Sequence, residues 1–150
     1  MATDIAAPAD LLTLVGSRLG ASRWVDITQE QVDLFADATG DQQWIHVDRE
    51  RARQGPFGGT IAHGYLTLSL APLFLQEVVR VDNCAAVLNY GVNKVRFPAP
   101  VPVGSRVRAV VTLAAATERA GGVEATFGLR YEIDGTDRPP CIAETVYLYR

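Results

Sequence analysis

Cysteine is scarce: the chain has two, Cys84 and Cys141, far apart and without the paired spacing of a zinc ribbon or redox motif. A disulfide framework and a cysteine-based metal site are therefore disfavoured, and two reduced, buried thiols are expected. Basic segments are also missing. Fourteen Lys and Arg against seventeen Asp and Glu give a net charge of −3, with a pI near 5.3 and the arginines scattered. That balance provides no field for a nucleic acid, and an anionic ligand would have to find local positive groups. No apolar run reaches the roughly 20 residues that span a bilayer. The start, Met1-Ala2-Thr3-Asp4-Ile5-Ala6-Ala7-Pro8, lacks the basic and apolar regions of a secretion signal. A cytoplasmic protein partnered by neither nucleic acid nor membrane is expected. Repeats, low-complexity tracts and linkers are absent too, so the 150 residues, 48% of them hydrophobic, read as one domain, 1–150, able to bury its own core.

Two periodicities organise what is present. In the first half, Leu11, Leu12, Val15 and Leu19 recur at helical spacing behind Pro8 and Asp10, predicting a short amphipathic helix. Residues 24–27 read as a brief strand. Thr28-Gln29-Glu30-Gln31 has the form of a capping box, with Ile27 and Val32 placed as a hydrophobic staple. A helix should run from there to Gly40, which suits a left-handed cap. Asp48 is placed to cap a short helix over residues 49–53, and Gly55-Pro56-Phe57-Gly58-Gly59-Thr60 breaks it. From residue 62 to 80 the chain is apolar on most faces, predicting a central helix wrapped by other structure and bent at Pro72. The second half turns to period two. Val123, Ala125, Phe127, Leu129, Tyr131 and Ile133 alternate with more polar residues, as do Val107, Ala109, Val111 and Leu113. Four long strands are predicted, near 87–97, 107–113, 123–133 and 141–149. Turns at Gly121-Gly122 and Asp134-Gly135 should make consecutive strands antiparallel neighbours. The fold class is α+β, a sheet with one apolar face curled round an apolar helix.

The chemically suggestive residues lie where the helices are interrupted. Gly40-Asp41-Gln42-Gln43-Trp44-Ile45-His46 offers a carboxylate and an imidazole five residues apart, and Ile61-Ala62-His63-Gly64-Tyr65 opens the central helix with a glycine amide. A carboxylate and an imidazole on one water can divide proton transfer, and a glycine N–H at a helix start can meet a developing oxyanion, without any metal. Each residue also has a plainer role. Asp41 can close a turn, His46 can be a satisfied core histidine, and His63 can make a structural hydrogen bond. Ser69 within a helix tends to bond back to a carbonyl. Gly58-Gly59-Thr60 lacks the spacing and lysine of a phosphate-binding loop and reads as a hinge.

These motifs together resemble the MaoC-like dehydratases, the (R)-specific or type-2 enoyl-CoA hydratases. The family pattern is an aspartate followed by an asparagine, a proline, an aliphatic residue and a histidine, then a His-Gly at the start of the central helix. Asp41, Ile45, His46 and His63-Gly64 match it, while Gln43 and Trp44 replace the asparagine and proline. Val95-Arg96-Phe97-Pro98-Ala99-Pro100-Val101 with Gly104 is similar to the strand and turn that follow. The resemblance covers nearly the whole chain. It implies a hot-dog fold, an antiparallel sheet around one long central helix with extra N-terminal helices. It implies a hydro-lyase with neither metal nor cofactor, adding water to a trans-2-enoyl-CoA to give a (3R)-3-hydroxyacyl-CoA; coenzyme A enters only as part of the substrate. Asp41 and His46 would share the water, the Gly64 amide would receive the oxyanion, and Ser69 would support the site. Substrate contacts are expected at Gln43, Trp44, Gly64, Tyr65, Lys94 and Arg96, the last two as candidates for coenzyme A phosphates. A homodimer joined edge to edge, with the acyl-CoA at the interface, is implied as well. Two other functions suit the scaffold: a thioesterase, for which the central segment supplies only Glu77, and a non-catalytic acyl-thioester binding module.

Overall fold

In chain order, the computed structural model, which describes residues 2–150, contains β1 (Thr3–Ile5), a 3-10 turn (Pro8–Thr13), β2 (Arg18–Ala21), β3 (Val25–Asp26), α1 (Gln29–Thr39), α2 (Trp44–Val47), α3 (Arg49–Arg53), α4 (Gly64–Ser69), α5 (Ala71–Val78), β4 (Val79–Val81), β5 (Val87–Arg96), β6 (Arg106–Arg119), β7 (Gly122–Ile133) and β8 (Ile142–Tyr149). The alternating stretches form the framework. β6, β7 and β8 are successive antiparallel neighbours, and the full order is β2-β6-β7-β8-β5, with β3 also paired to β6. Because side chains alternate across a strand, Val107, Ala109, Val111 and Leu113 of β6 and Phe127, Leu129 and Tyr131 of β7 share one buried face. The central helices pack there. The Phe74 ring meets Tyr131 edge-on at 5.6 Å, and the Tyr131 hydroxyl donates to the Leu68 carbonyl at 3.2 Å. That bond gives the buried phenol a partner inside an apolar core.

Four expectations require correction. Residues 11–19 do not form an amphipathic helix: Leu11 is buried in the 3-10 turn, Leu19 is buried on β2, and Val15 between them is 47% exposed. Their apparent periodicity comes from two different elements. The central helix is shorter than predicted and divided at Leu70. Pro72 falls in the first turn of α5, where its missing N–H costs nothing, so the helix restarts just before the proline rather than bending through it. Val79 and Arg80 leave the helix altogether, and β4 pairs in parallel with β1. Finally, β5 is not beside β6. The proline-rich connection after β5 crosses to the other side of the sheet, leaving β5 as an edge strand against β8.

The signals at the two ends of α1 hold. Thr28 accepts from the Gln31 amide at 3.2 Å while the Gln31 side chain accepts from the Thr28 amide at 3.0 Å, and Gly40 ends α1 at φ 83°. Both cysteines are unpaired, but only Cys141 is buried, Cys84 being partly exposed, and burial pushes the Cys141 thiol up to about 12. No helix among the described residues is long and apolar enough to cross a membrane.

Candidate active site

The left-handed Gly40 turns the chain out of α1 and presents Asp41 on an exposed loop, where its carboxylate accepts the Gln43 amide at 3.3 Å. Four-residue α2 follows and carries His46 inward; the ring is buried. So short a helix cannot hold itself in place, and side-chain bonds fix it. The Gln29 amide donates to the His46 carbonyl at 2.7 Å and to Asp33 at 2.9 Å, while its oxygen accepts the Thr60 hydroxyl at 2.6 Å. The His46 ring is oriented by the Ile61 carbonyl, 2.7 Å from Nδ1. A carbonyl only accepts, so the assigned neutral tautomer carries its proton on Nδ1 and a lone pair on Nε2.

His63 lies against this pair. Its Nε2 is 3.0 Å from the Asp41 carbonyl oxygen, and its ring stacks on His46 with centroids 3.9 Å apart at 25°. Gly64 comes next, in the first turn of α4, where backbone N–H groups have no acceptor within the helix. A Cβ on Gly64 would stand 3.1 Å from the Phe97 ring, so the glycine permits the close approach of that aromatic wall.

His46 and Gly64 border the same cavity of about 330 Å³, whose remaining wall is mainly apolar: Phe57, Ile61, Ala62, Phe97 and the 98–101 segment. Thr67, one turn after Gly64, also lines it, its hydroxyl donating to the His63 carbonyl at 3.4 Å. Burial holds the His46 imidazole below its ordinary value of 6.5, and the neighbouring His63 ring acts in the same direction; the Ile61 carbonyl and Asp41 oppose them. His46 is thereby kept neutral near pH 7. Asp41, His46 and His63 each place a ligand-capable atom within 4.8 Å of the others.

Not every expected residue joins this group. Ser69 is exposed and its hydroxyl donates to the Tyr65 carbonyl at 2.6 Å, the plainer of its two readings. Trp44 packs beside Gly55 under the Arg51 guanidinium, 4.3 Å from its ring centroid. Tyr65 is 71% exposed and edges toward Phe97, while Gln43 is also exposed. Lys94 and Arg96 lie on the edge strand β5; none of these six residues borders the cavity, and neither does Asp41, which approaches it through His46. Arg49 and Arg53 line a second depression of about 650 Å³ together with Asp26 and the 57–60 loop; Phe57 borders both. Neither arginine forms an ion pair among the described residues. Sequence reasoning missed Gln29, hidden within a capping box, and Arg49 and Arg53, read only as part of a helix; their spacing of four residues on one helix face was the available signal.

A curled antiparallel sheet around a central helix pair, with an imidazole and a helix-start glycine at one cavity and a carboxylate close to that imidazole, defines a hot-dog protein. A family model described as the MaoC like domain matches residues 10–130, and the chain belongs to that family. The 3-hydroxyacyl-thioester dehydratase Z of Mycobacterium tuberculosis (strain ATCC 25618 / H37Rv) is 54% identical over 142 residues, 94% of each chain. Among solved structures, an (R)-hydratase from A. caviae involved in PHA biosynthesis superposes with a TM-score of 0.70 at 25% identity, covering 88% of this chain and 96% of that one. A monoamine oxidase regulatory protein from Archaeoglobus shares the fold with a TM-score of 0.79 at 23% identity, covering 100% and 97%.

Proposed function

We propose that the chain catalyses the reversible hydration of a trans-2-enoyl thioester to the (3R)-3-hydroxyacyl thioester, with Asp41 and His46 holding one water. The observation that carries this reading is the Ile61 carbonyl on His46 Nδ1, which leaves Nε2 as the free basic nitrogen of a ring bordering the cavity. In the hydration direction, Nε2 takes a proton from water held against the Asp41 carboxylate, and the water oxygen bonds to C3. Electron density moves to the thioester oxygen, where the Gly64 amide donates; one such donor is worth roughly 3 kcal/mol in acyl chemistry. The proton is then returned to C2, so none is consumed overall, and the dehydration runs through the same steps in reverse.

The relatives support this class of chemistry: one is named a 3-hydroxyacyl-thioester dehydratase and one an (R)-hydratase. The apolar cavity suits an acyl chain, and Arg49 and Arg53 offer charge to an anionic carrier such as coenzyme A. A thioesterase fits less well. Glu77 is the only carboxylate on α4 and α5, and Arg23 holds it at 2.5 Å. The proposed assembly is a homodimer, because edge strand β5 exposes Val87, Leu88, Tyr90 and Val92, an apolar edge that a partner sheet would cover. Sedimentation should then give twice the 16.2 kDa chain mass.

Crotonyl-CoA tests the reaction. Hydration removes the conjugated-thioester absorbance without releasing thiol, and should persist in the presence of a chelator if the pair works without a metal. Release of free thiol would indicate hydrolysis, and unchanged absorbance with bound ligand would indicate a binding module; either result overturns the proposal.

A further inference from the structure

His63 is buried in the site at 2% exposure, yet the chemistry proposed above does not use it. Its ring makes three connections at once. Nε2 faces the Asp41 carbonyl, one face stacks on His46, and Phe35 of α1 packs against it at 4.9 Å. It is also the N-cap residue of α4, directly before Gly64. Its second nitrogen, Nδ1, is buried without a hydrogen-bond partner. Leaving a buried polar atom unpaired costs about 1–3 kcal/mol, and a phenyl ring would fill the same space without that cost. Packing alone is therefore a poor account of an imidazole here, whereas the bond to the Asp41 carbonyl needs a side-chain N–H, which a phenyl ring lacks.

We propose that His63 is a positioning residue: by donating from Nε2 to the Asp41 carbonyl while supporting the His46 ring, it sets the separation of the two groups that hold the water. The proposal rests on the reading of Asp41 and His46 as the acid–base pair. The titratable groups facing His46 are His63 and Asp41; from α1 only the neutral Gln29 reaches its backbone. His63 opposes positive charge on His46, so its removal should let His46 take up a proton at higher pH.

Two substitutions separate the bond from the ring. His63→Gln keeps a donor at about the reach of Nε2 but removes the ring, and His63→Phe keeps a stacking ring but removes the donor. On crotonyl-CoA, His63→Phe should lower kcat on the order of 10–100-fold with KM little changed, since small misplacements of reacting groups carry losses of that size. His63→Gln should recover most of kcat. In both variants the acid limb of the kcat profile should move to higher pH, an effect that space-filling alone would not produce. Because His46 and His63 are the only histidines, an imidazole NMR titration reads His46 directly, whether or not the protein hydrates crotonyl-CoA. A titration shift in folded His63→Gln with no turnover in the wild type would uphold the contact and reject the hydration reading. Wild-type kcat and an unmoved titration in His63→Phe would overturn the proposal. If His63→Phe does not fold, His63→Gln decides: retained kcat with a shifted His46 supports it, and an unmoved His46 with lost kcat overturns it.

Discussion

The strand half of the molecule and the site half are held together differently. β6, β7 and β8 are long and paired along most of their length, with one register shift in β6 between Leu113 and Ala115, and their buried side chains share one apolar core, so each contact is backed by many others. Residues 41–64 have helices of four and five residues joined by loops, and individual polar bonds connect them: Gln29 to His46, Thr60 to Gln29, His46 to Ile61 and His63 to Asp41. Damage to the sheet should therefore appear as lost stability with normal chemistry in the molecules that remain folded. Damage to the site should appear as lost chemistry in a protein that still folds.

The largest effects are expected at the pair itself. Asp41→Asn and His46→Gln should each lower kcat on crotonyl-CoA by 10²–10⁴-fold, about 3–5 kcal/mol of barrier, with little change in Tm. Phe127→Ala is the counterpart in the sheet. Phe127 is fully buried and meets Tyr147 and Tyr149 edge-on at 6.1 and 6.4 Å. Removing its ring should cost about 3–5 kcal/mol of stability and lower Tm by roughly 10 °C, with kcat per folded molecule unchanged. A loss of kcat without a loss of Tm in this variant would break the division between the halves.

Gly64→Val tests the boundary between them. The new side chain must displace Phe97, which is 41% exposed and free to yield, so folding should survive. The N–H also survives, but the approach to it is crowded, and kcat/KM should fall on the order of tenfold to a hundredfold. Near-normal turnover would move the oxyanion donor elsewhere, with the amides of the 55–60 loop the next to examine.

The smallest effect is that of pH. Since burial holds His46 below 6.5, its neutral, proton-accepting form persists below that value, and the acid limb of kcat should lie under pH 6.5. The unfolded chain, with an ordinary histidine, binds more protons in that range than the folded one. Stability should therefore decline modestly as pH falls from 6.5 toward the lowered folded value. His46→Gln should remove that part of the decline.

The sheet was legible because its signal is local and repeated: six alternating apolar residues in β7 predict a half-buried strand without reference to anything else. The capping box at Thr28 and the glycine cap at Gly40 were legible for the same reason, since each is a bond between near neighbours in the chain. What was not legible depended on distant partners. Val79 and Arg80 extend an apolar helical run, yet their backbone pairs with β1, some seventy residues earlier. The placement of β5 beside β8 follows from a crossing connection that no strand pattern encodes. At the site, the spacing of Asp41 and His46 was visible, but the stacking of His63 and the bonds of Gln29 come from packing between segments. Lys94 and Arg96 carried charge but lie on the edge strand, whereas Arg49 and Arg53 line a depression that shares Phe57 with the cavity.

A double-mutant cycle at the pair tests the shared water most directly. Groups that act on one water function as a unit, so Asp41→Asn combined with His46→Gln should reduce kcat on crotonyl-CoA no further than the worse single variant. Losses that multiply would show two independent contributions, and retention of more than a tenth of wild-type kcat by both single variants would contradict the pair outright.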